Sequence, residues 1–87
     1  MKTFTREEIE KKVSAIIADV LWRDNVEMDE LMVEDLDCDS LNLVDIVVRT
    51  EKKFGITLPD NEVEAAAGWT VSEVCDYVEE KIKEQKK

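Results

Sequence analysis

The segment Asp39-Ser40-Leu41 carries the residue types best placed for chemistry in this chain. Ser40 stands where a long acidic stretch gives way to a helix of apolar and charged residues. Asp39 is a favourable N-cap, so Ser40 is expected to be the first helical residue. Its hydroxyl would then lie beside unpaired backbone N–H groups at the positive end of the helix dipole, where a phosphate ester is stabilised. Ser40 is therefore either a plain helix-start residue or a covalent attachment point.

Other chemistry finds little support. The chain has no histidine, which excludes Ser-His and Cys-His nucleophilic arrangements. It has no glycine-rich phosphate loop. The spacing Asp35-x-Asp37-x-Asp39 opens like a calcium loop, but Ser40 stands where the invariant glycine belongs and Ile46 where the bidentate glutamate belongs. No specific metal site is expected, and the chain is not expected to be an enzyme. Cys38 and Cys75 fit no metal or Cys-x-x-Cys spacing and read as two reduced thiols. Cys38 beside the cap of Ser40 reads as a small space-filling residue.

The elements that must position Ser40 are legible from caps and periodicity. Thr5-Arg6-Glu7-Glu8 is a capping box, flanked by Phe4 and Ile9 as a hydrophobic staple. Ile9, Val13, Ile16, Ile17, Val20 and Leu21 follow at helical spacing, which predicts a helix over roughly 6–22. From Asp24 to Asp45 there are nine acidic residues and no Lys or Arg, so like-charge repulsion disfavours a regular element there. Val26, Leu31, Met32, Val33 and Leu36 are expected to pin this stretch to the core as an ordered loop; connections this long are often functional.

A second helix is predicted from about Ser40 to Phe54, ending at Gly55. Leu43, Ile46, Val47, Thr50 and Phe54 make one face. Leu41, Val44 and Val48 fall on another, beside Asp45, Glu51 and Lys52; exposed apolar surface rimmed with charge suggests a docking patch. Ile56-Thr57-Leu58-Pro59 reads as extended. Asp60 is expected to cap a short helix from Asn61 to about Ala66. A last helix follows a second capping box, Thr70 to Glu73, with Trp69 and Val74 as its staple. Its inner face is Val71, Val74, Cys75, Val78 and Ile82, and Lys81 to Lys87 reads as a charged, fraying tail. Trp22 and Trp69 read as core or staple residues. The fold class is all-α: a small four-helix bundle of three longer helices and one short one, with a long loop between the first two.

Composition sets the outer bounds. The 87 residues suit a single domain, 1–87, with an ordered core over about 4–83. A net charge of −10 disfavours nucleic acid and anionic membrane surfaces and favours a basic patch on another protein. No signal-peptide h-region and no apolar run of roughly 18 residues is present, so the expectation is a cytoplasmic protein without a membrane span.

Taken together, the residues resemble the acyl carrier protein family over roughly Thr5 to Ile82. Three matches occur in order: Val33-Glu34-Asp35-Leu36 followed by Asp39-Ser40-Leu41; Glu51-Lys52-Lys53-Phe54-Gly55 followed by Ile56-Thr57-Leu58-Pro59-Asp60; and Trp69-Thr70-Val71 leading to Asp76-Tyr77-Val78. The resemblance implies that Ser40 carries 4′-phosphopantetheine, delivered from coenzyme A by a separate phosphopantetheinyl transferase, with Asp39 as the cap beside it. The arm's thiol would hold acyl groups as thioesters. A free-standing monomer would present them to acyl-transferring and chain-extending enzymes of fatty-acid or polyketide-type synthesis. Basic docking surfaces on those enzymes would meet Asp45, Glu51 and the loop carboxylates, and Leu41, Val44 and Val48 would form the apolar centre. Ile46, Val47 and Ala66 would lie near the space that shelters an acyl chain. Two alternatives stay open: a carrier of aminoacyl groups, and a non-covalent adaptor whose Ser40 is never modified.

The chain departs from the family pattern in two places. Asp37 stands where the family usually has glycine, and Arg49, Lys52 and Lys53 interleave with Asp45 and Glu51 on a helix that is usually more acidic. The second departure suggests a carrier dedicated to a specialised pathway.

Overall fold

A computed structural model describes residues 4–85. Helix α1 spans Arg6–Leu21, α2 spans Ser40–Phe54, and a short α3, Asp60–Val63, runs on into a 3₁₀ turn, Glu64–Gly68; α4 spans Val71–Gln85. The bundle is the all-α one that caps and periodicity predict. No helix among the described residues is long and apolar enough to cross a membrane.

Each long helix starts with a reciprocal cap. Thr5 Oγ1 accepts from Glu8 N–H while Glu8 accepts from Thr5 N–H. Thr70 and Glu73 repeat the exchange at α4. The faces that follow are buried: Ile9, Val13, Ile17 and Val20 from α1, Ile46, Thr50 and Phe54 from α2, and Val71, Val74, Cys75, Val78 and Ile82 from α4. Fully burying each such aliphatic or aromatic side chain contributes about 1.5–3 kcal/mol. Thr50 is the buried polar member, and its hydroxyl donates to Ile46 O at 2.7 Å.

Helices α1 and α2 run antiparallel. The Phe4 ring meets Phe54 edge-on, centroids 4.9 Å apart, while Asp19 pairs with Arg49 further along. Arg6 joins α1 to α4 by pairing with Glu10, Asp76 and Glu79, and its guanidinium also donates to Ser72 O. At the far end of α4 the Gln85 amide brackets one residue, accepting from Thr57 N–H and donating to Thr57 O.

The acidic loop is ordered, and the main chain shows why. Met32 N–H donates to Trp69 O, Val71 N–H to Glu30 O, and Ser72 N–H to Met28 O, all at 2.9–3.0 Å. Val26, Met32 and Leu36 are buried beneath this belt. Val33 is not a pin as expected; it is 43% exposed because the turn over residues 32–36 aims it outward.

Three further expectations are corrected. Trp22 is neither core nor staple: α1 ends at Leu21, and Trp22 takes a left-handed conformation (φ 60°) with its indole 95% exposed. Asp60 does not cap α3; Pro59 occupies the N-cap position and Asp60 is the first helical residue. The segment from Lys81 is not a fraying tail within the described residues. It stays helical to Gln85, held by Gln85 on Thr57 and by Lys81 on Glu62 at 2.9 Å. Lys86 and Lys87 lie outside the described residues.

Glu62 links α3 to α4, accepting from Tyr77 OH at 2.8 Å and pairing with Lys81. Lys81 first, and Tyr77 second, hold the Glu62 carboxyl below the usual carboxylate range. A carboxyl depressed on folding stabilises fully above its unfolded value, roughly pH 4.3, and that stabilisation is lost as pH falls through the folded value. Glu62→Gln is therefore expected to melt below the parent at pH 7, with the two melting temperatures converging as the pH is lowered from about 4.3. A gap that stays constant across that window would contradict this origin.

Candidate functional site

The start of α2 is built by the loop before it. Leu36 N–H donates to Leu31 O, Asp37 N–H to Val33 O and Cys38 N–H to Met32 O, so residues 31–38 wind back on themselves. Asp35 uses its carboxylate to accept from Leu31 N–H at 2.7 Å. Closing that coil requires a left-handed residue, and Asp37 supplies it with φ 55°. The position at which the chain lacks the family's usual glycine is thus one of the two non-glycine residues with positive φ among those described. Aspartate tolerates this region better than most side chains.

The chain leaves the coil extended and enters α2. Asp39 Oδ1 accepts from Asn42 N–H at 2.8 Å, and Asn42 Oδ1 accepts in return from Asp39 N–H at 3.3 Å. This reciprocal cap satisfies the third N–H of the helix. The N–H groups of Ser40 and Leu41 take no partner among the described residues. Ser40 is the first helical residue and is exposed. An anionic group on its oxygen meets two free donors and the dipole's positive end. With Asp35 and Asp39 engaged on Leu31 and Asn42, the acidic loop serves as turn and cap chemistry.

The face of α2 beside Ser40 is open and apolar. Leu41 is 79% exposed, Val44 58% and Val48 41%. Asp45, a helical neighbour of Leu41 and Val48, is exposed but not a free charge: Arg49 Nε donates to it at 3.0 Å while also pairing with Asp19. Glu51 lies apart from this stripe, its carboxylate accepting from Leu58 N–H at 2.8 Å and holding the segment after α2. Lys52 and Lys53 are exposed in the last turn of α2, where cations suit the dipole.

Behind the stripe lies a small cavity of about 20 Å³ lined by Leu43, Ile46, Val47, Val63, Ala66 and Tyr77 among others. Ile46, Val47 and Ala66 do meet around one space. It holds about one water, so a longer occupant requires the helices to part. Both cysteines are buried free thiols. Burial, then Asp39, pushes the Cys38 thiol up; burial pushes Cys75 up to about 11. Both stay protonated near pH 7.

Sequence reasoning missed one surface residue, Trp22. It lines an open depression of about 340 Å³ with Asp19, Arg23, Asp45 and Arg49, next to the exposed α2 stripe. No local signal marked it: a left-handed helix end usually calls for glycine, and here tryptophan takes the position.

Residues 11–78 match a family described as "Phosphopantetheine attachment site". Among similar proteins is the acyl carrier protein of Rubrobacter xylanophilus, 43% identical over 77 residues, which is 86% of this chain and 93% of that protein. The acyl carrier protein of Thermotoga maritima is 38% identical over 80 residues, 90% of this chain and 96% of that protein. That of Petrotoga mobilis is 39% identical over 80 residues, 90% of this chain and 92% of that protein.

The left-handed turn at Asp37 gives a direct test of the loop. Asp37→Val is expected to lower stability by about 1–2 kcal/mol, because a β-branched side chain resists this region. Asp37→Gly should equal or exceed the parent. Urea unfolding midpoints check the order, and a valine variant as stable as the glycine one would show that the loop relaxes out of this conformation.

Proposed function

Because the chain belongs to the phosphopantetheine attachment family and is an acyl carrier, we propose that Ser40 is the residue that bears its 4′-phosphopantetheine and that the Leu41–Val44–Val48 stripe is where enzymes dock. The observation that carries the first part is an exposed hydroxyl on the first residue of α2, beside two N–H groups without partners. The residues fit the group: Ser40 is exposed, and the N–H groups of Ser40 and Leu41 would donate to the phosphodiester anion.

In the loading reaction Ser40 Oγ attacks the phosphorus of coenzyme A that bears the pantetheine. The Oγ–P bond forms, the phosphoanhydride bond breaks, adenosine 3′,5′-bisphosphate leaves, and the hydroxyl proton passes to a base of the transferase. The neighbouring carboxylate, Asp39, is turned to Asn42 N–H as a helix cap. The chain presents its serine to a separate catalyst, the transferase. Once attached, the group supplies a thiol that holds acyl cargo as a thioester.

Docking rests on the exposed stripe and its charge. Leu41, Val44 and Val48 are a small apolar centre of the kind transient interfaces use, and the loop carboxylates attract basic surfaces and speed encounter. The Arg49 bridge to Asp19 and Asp45 weakens that attraction halfway along α2. It favours partners that concentrate their cations near Ser40, and a pathway of its own for this carrier.

Intact mass under reducing conditions tests the attachment. Incubation with coenzyme A, magnesium and a broad-specificity phosphopantetheinyl transferase is expected to add one phosphopantetheinyl group to the parent and none to Ser40→Ala. The loaded form should also gain one thiol that reacts fast at pH 7, against slow reaction of buried Cys38 and Cys75. A folded parent that neither gains mass nor gains a fast thiol, even with the transferase from its own source, would favour the unmodified adaptor.

A further inference from the structure

We propose that Trp22 is an aromatic anchor for the phosphopantetheinyl transferase, extending the docking surface from α2 onto the end of α1. The inference rests on the reading of Ser40 as the attachment residue and adds a residue outside α2.

The first argument is that folding gives this side chain no role. Its indole is 95% exposed, so burial stabilises it hardly at all. Its backbone is left-handed, with φ 60° and ψ 42°. That conformation costs a residue with a Cβ roughly 1–2 kcal/mol, and glycine would end α1 better. A tryptophan here works against the stability of the chain on both counts. A large exposed aromatic group rimmed by charge is the side-chain type that dominates binding energy at interfaces.

The second argument concerns reach. Trp22 shares a depression with Asp45, five residues along α2 from Ser40. Five residues are about 7.5 Å of helical rise, and packed helices lie about 8–10 Å apart. Trp22 is thus roughly 12 Å from the axis position of Ser40 by these two distances combined. A weak interface still covers up to about 600 Å² on each partner, a disc of roughly 14 Å radius. An interface of that size, centred on Ser40 and spreading along this face, reaches Trp22.

The third argument selects the partner. Enzymes that act on the arm's thiol can stand off by the length of the arm. The transferase alone must bring its reacting phosphorus to bonding distance of Ser40 Oγ, with its surface close against the start of α2. The fitting partner face has an apolar cleft for the indole between Arg23 and Arg49, and cations for the loop carboxylates near Ser40, in line with the charge of −10.

Stability and binding should move in opposite directions, which separates this role from a structural one. Trp22→Gly is expected to unfold at higher urea than the parent. Its KM with the transferase from the same source should rise roughly tenfold or more, with kcat little changed. Trp22→Asn, which also tolerates the left-handed region, should show the same KM loss. The second readout needs no turnover. The chain has two tryptophans, so ¹⁵N-labelled Ser40→Ala protein gives two indole N–H signals. Titration with unlabelled transferase should shift or broaden the Trp22 signal and leave that of half-buried Trp69 in place. Unchanged KM in both variants, or an unperturbed Trp22 signal at saturating transferase, would overturn the proposal. A parent that the transferase never modifies would instead refute the attachment reading on which it rests.

Discussion

Three main-chain hydrogen bonds, from Met32 to Trp69, Val71 to Glu30 and Ser72 to Met28, hold the acidic loop against the start of α4, and the position of Ser40 depends on them. A stretch with so many carboxylates repels itself and would otherwise remain solvated. The belt removes that freedom at its midpoint, and burial of Met32 and Leu36 fixes which side faces the core. From that anchor the chain needs only one tight coil, closed by left-handed Asp37, to deliver Asp39 as the cap of α2. The serine hydroxyl is thus located by backbone bonds made to an element some thirty residues further along the chain.

The charge of the molecule is less uniform than its net value suggests. The acidic loop leads into the start of α2, while Lys52 and Lys53 occupy its end and Arg49 bridges two acids between them. Lys11, Lys12, Arg49 and Lys53 line one open groove between α1 and α2, interleaved with Glu8 and Asp19. A partner therefore meets acidic residues before Ser40 and the cations of α2 from Arg49 onward. Such a gradient orients an approaching surface before any apolar contact forms.

Much of this was legible in the sequence, for identifiable reasons. Reciprocal caps at Thr5 and Thr70 are local and marked where two helices begin, and the alternation of buried and exposed residues on α2 followed from helical spacing alone. The exposure of Leu41, Val44 and Val48 was expected on the same grounds, whereas the left-handed turn at Asp37 is a finding of the structure. What could not be read depended on tertiary partners. Nothing local tells Glu51 to turn toward Leu58 N–H, or Gln85 to bracket Thr57 and so keep α4 helical where charge alone suggested fraying. Trp22 reversed its expected burial because α1 ends one residue earlier, and a single left-handed residue swings the indole from the core side into water. Pro59 displaced Asp60 from the cap of α3 because its fixed φ already suits the entry to a short helix.

The contacts of Phe4 on Phe54 and of Gln85 on Thr57 place both ends of the described chain at the C-terminal end of α2. Ser40 begins that helix, at the other end of its 15 residues, about 21 Å along its axis. The two ends of the described residues and the Ser40 hydroxyl thus occupy opposite poles of the bundle. A tether fixed close to Phe4 or Gln85 would therefore leave the serine pole facing away from its point of attachment.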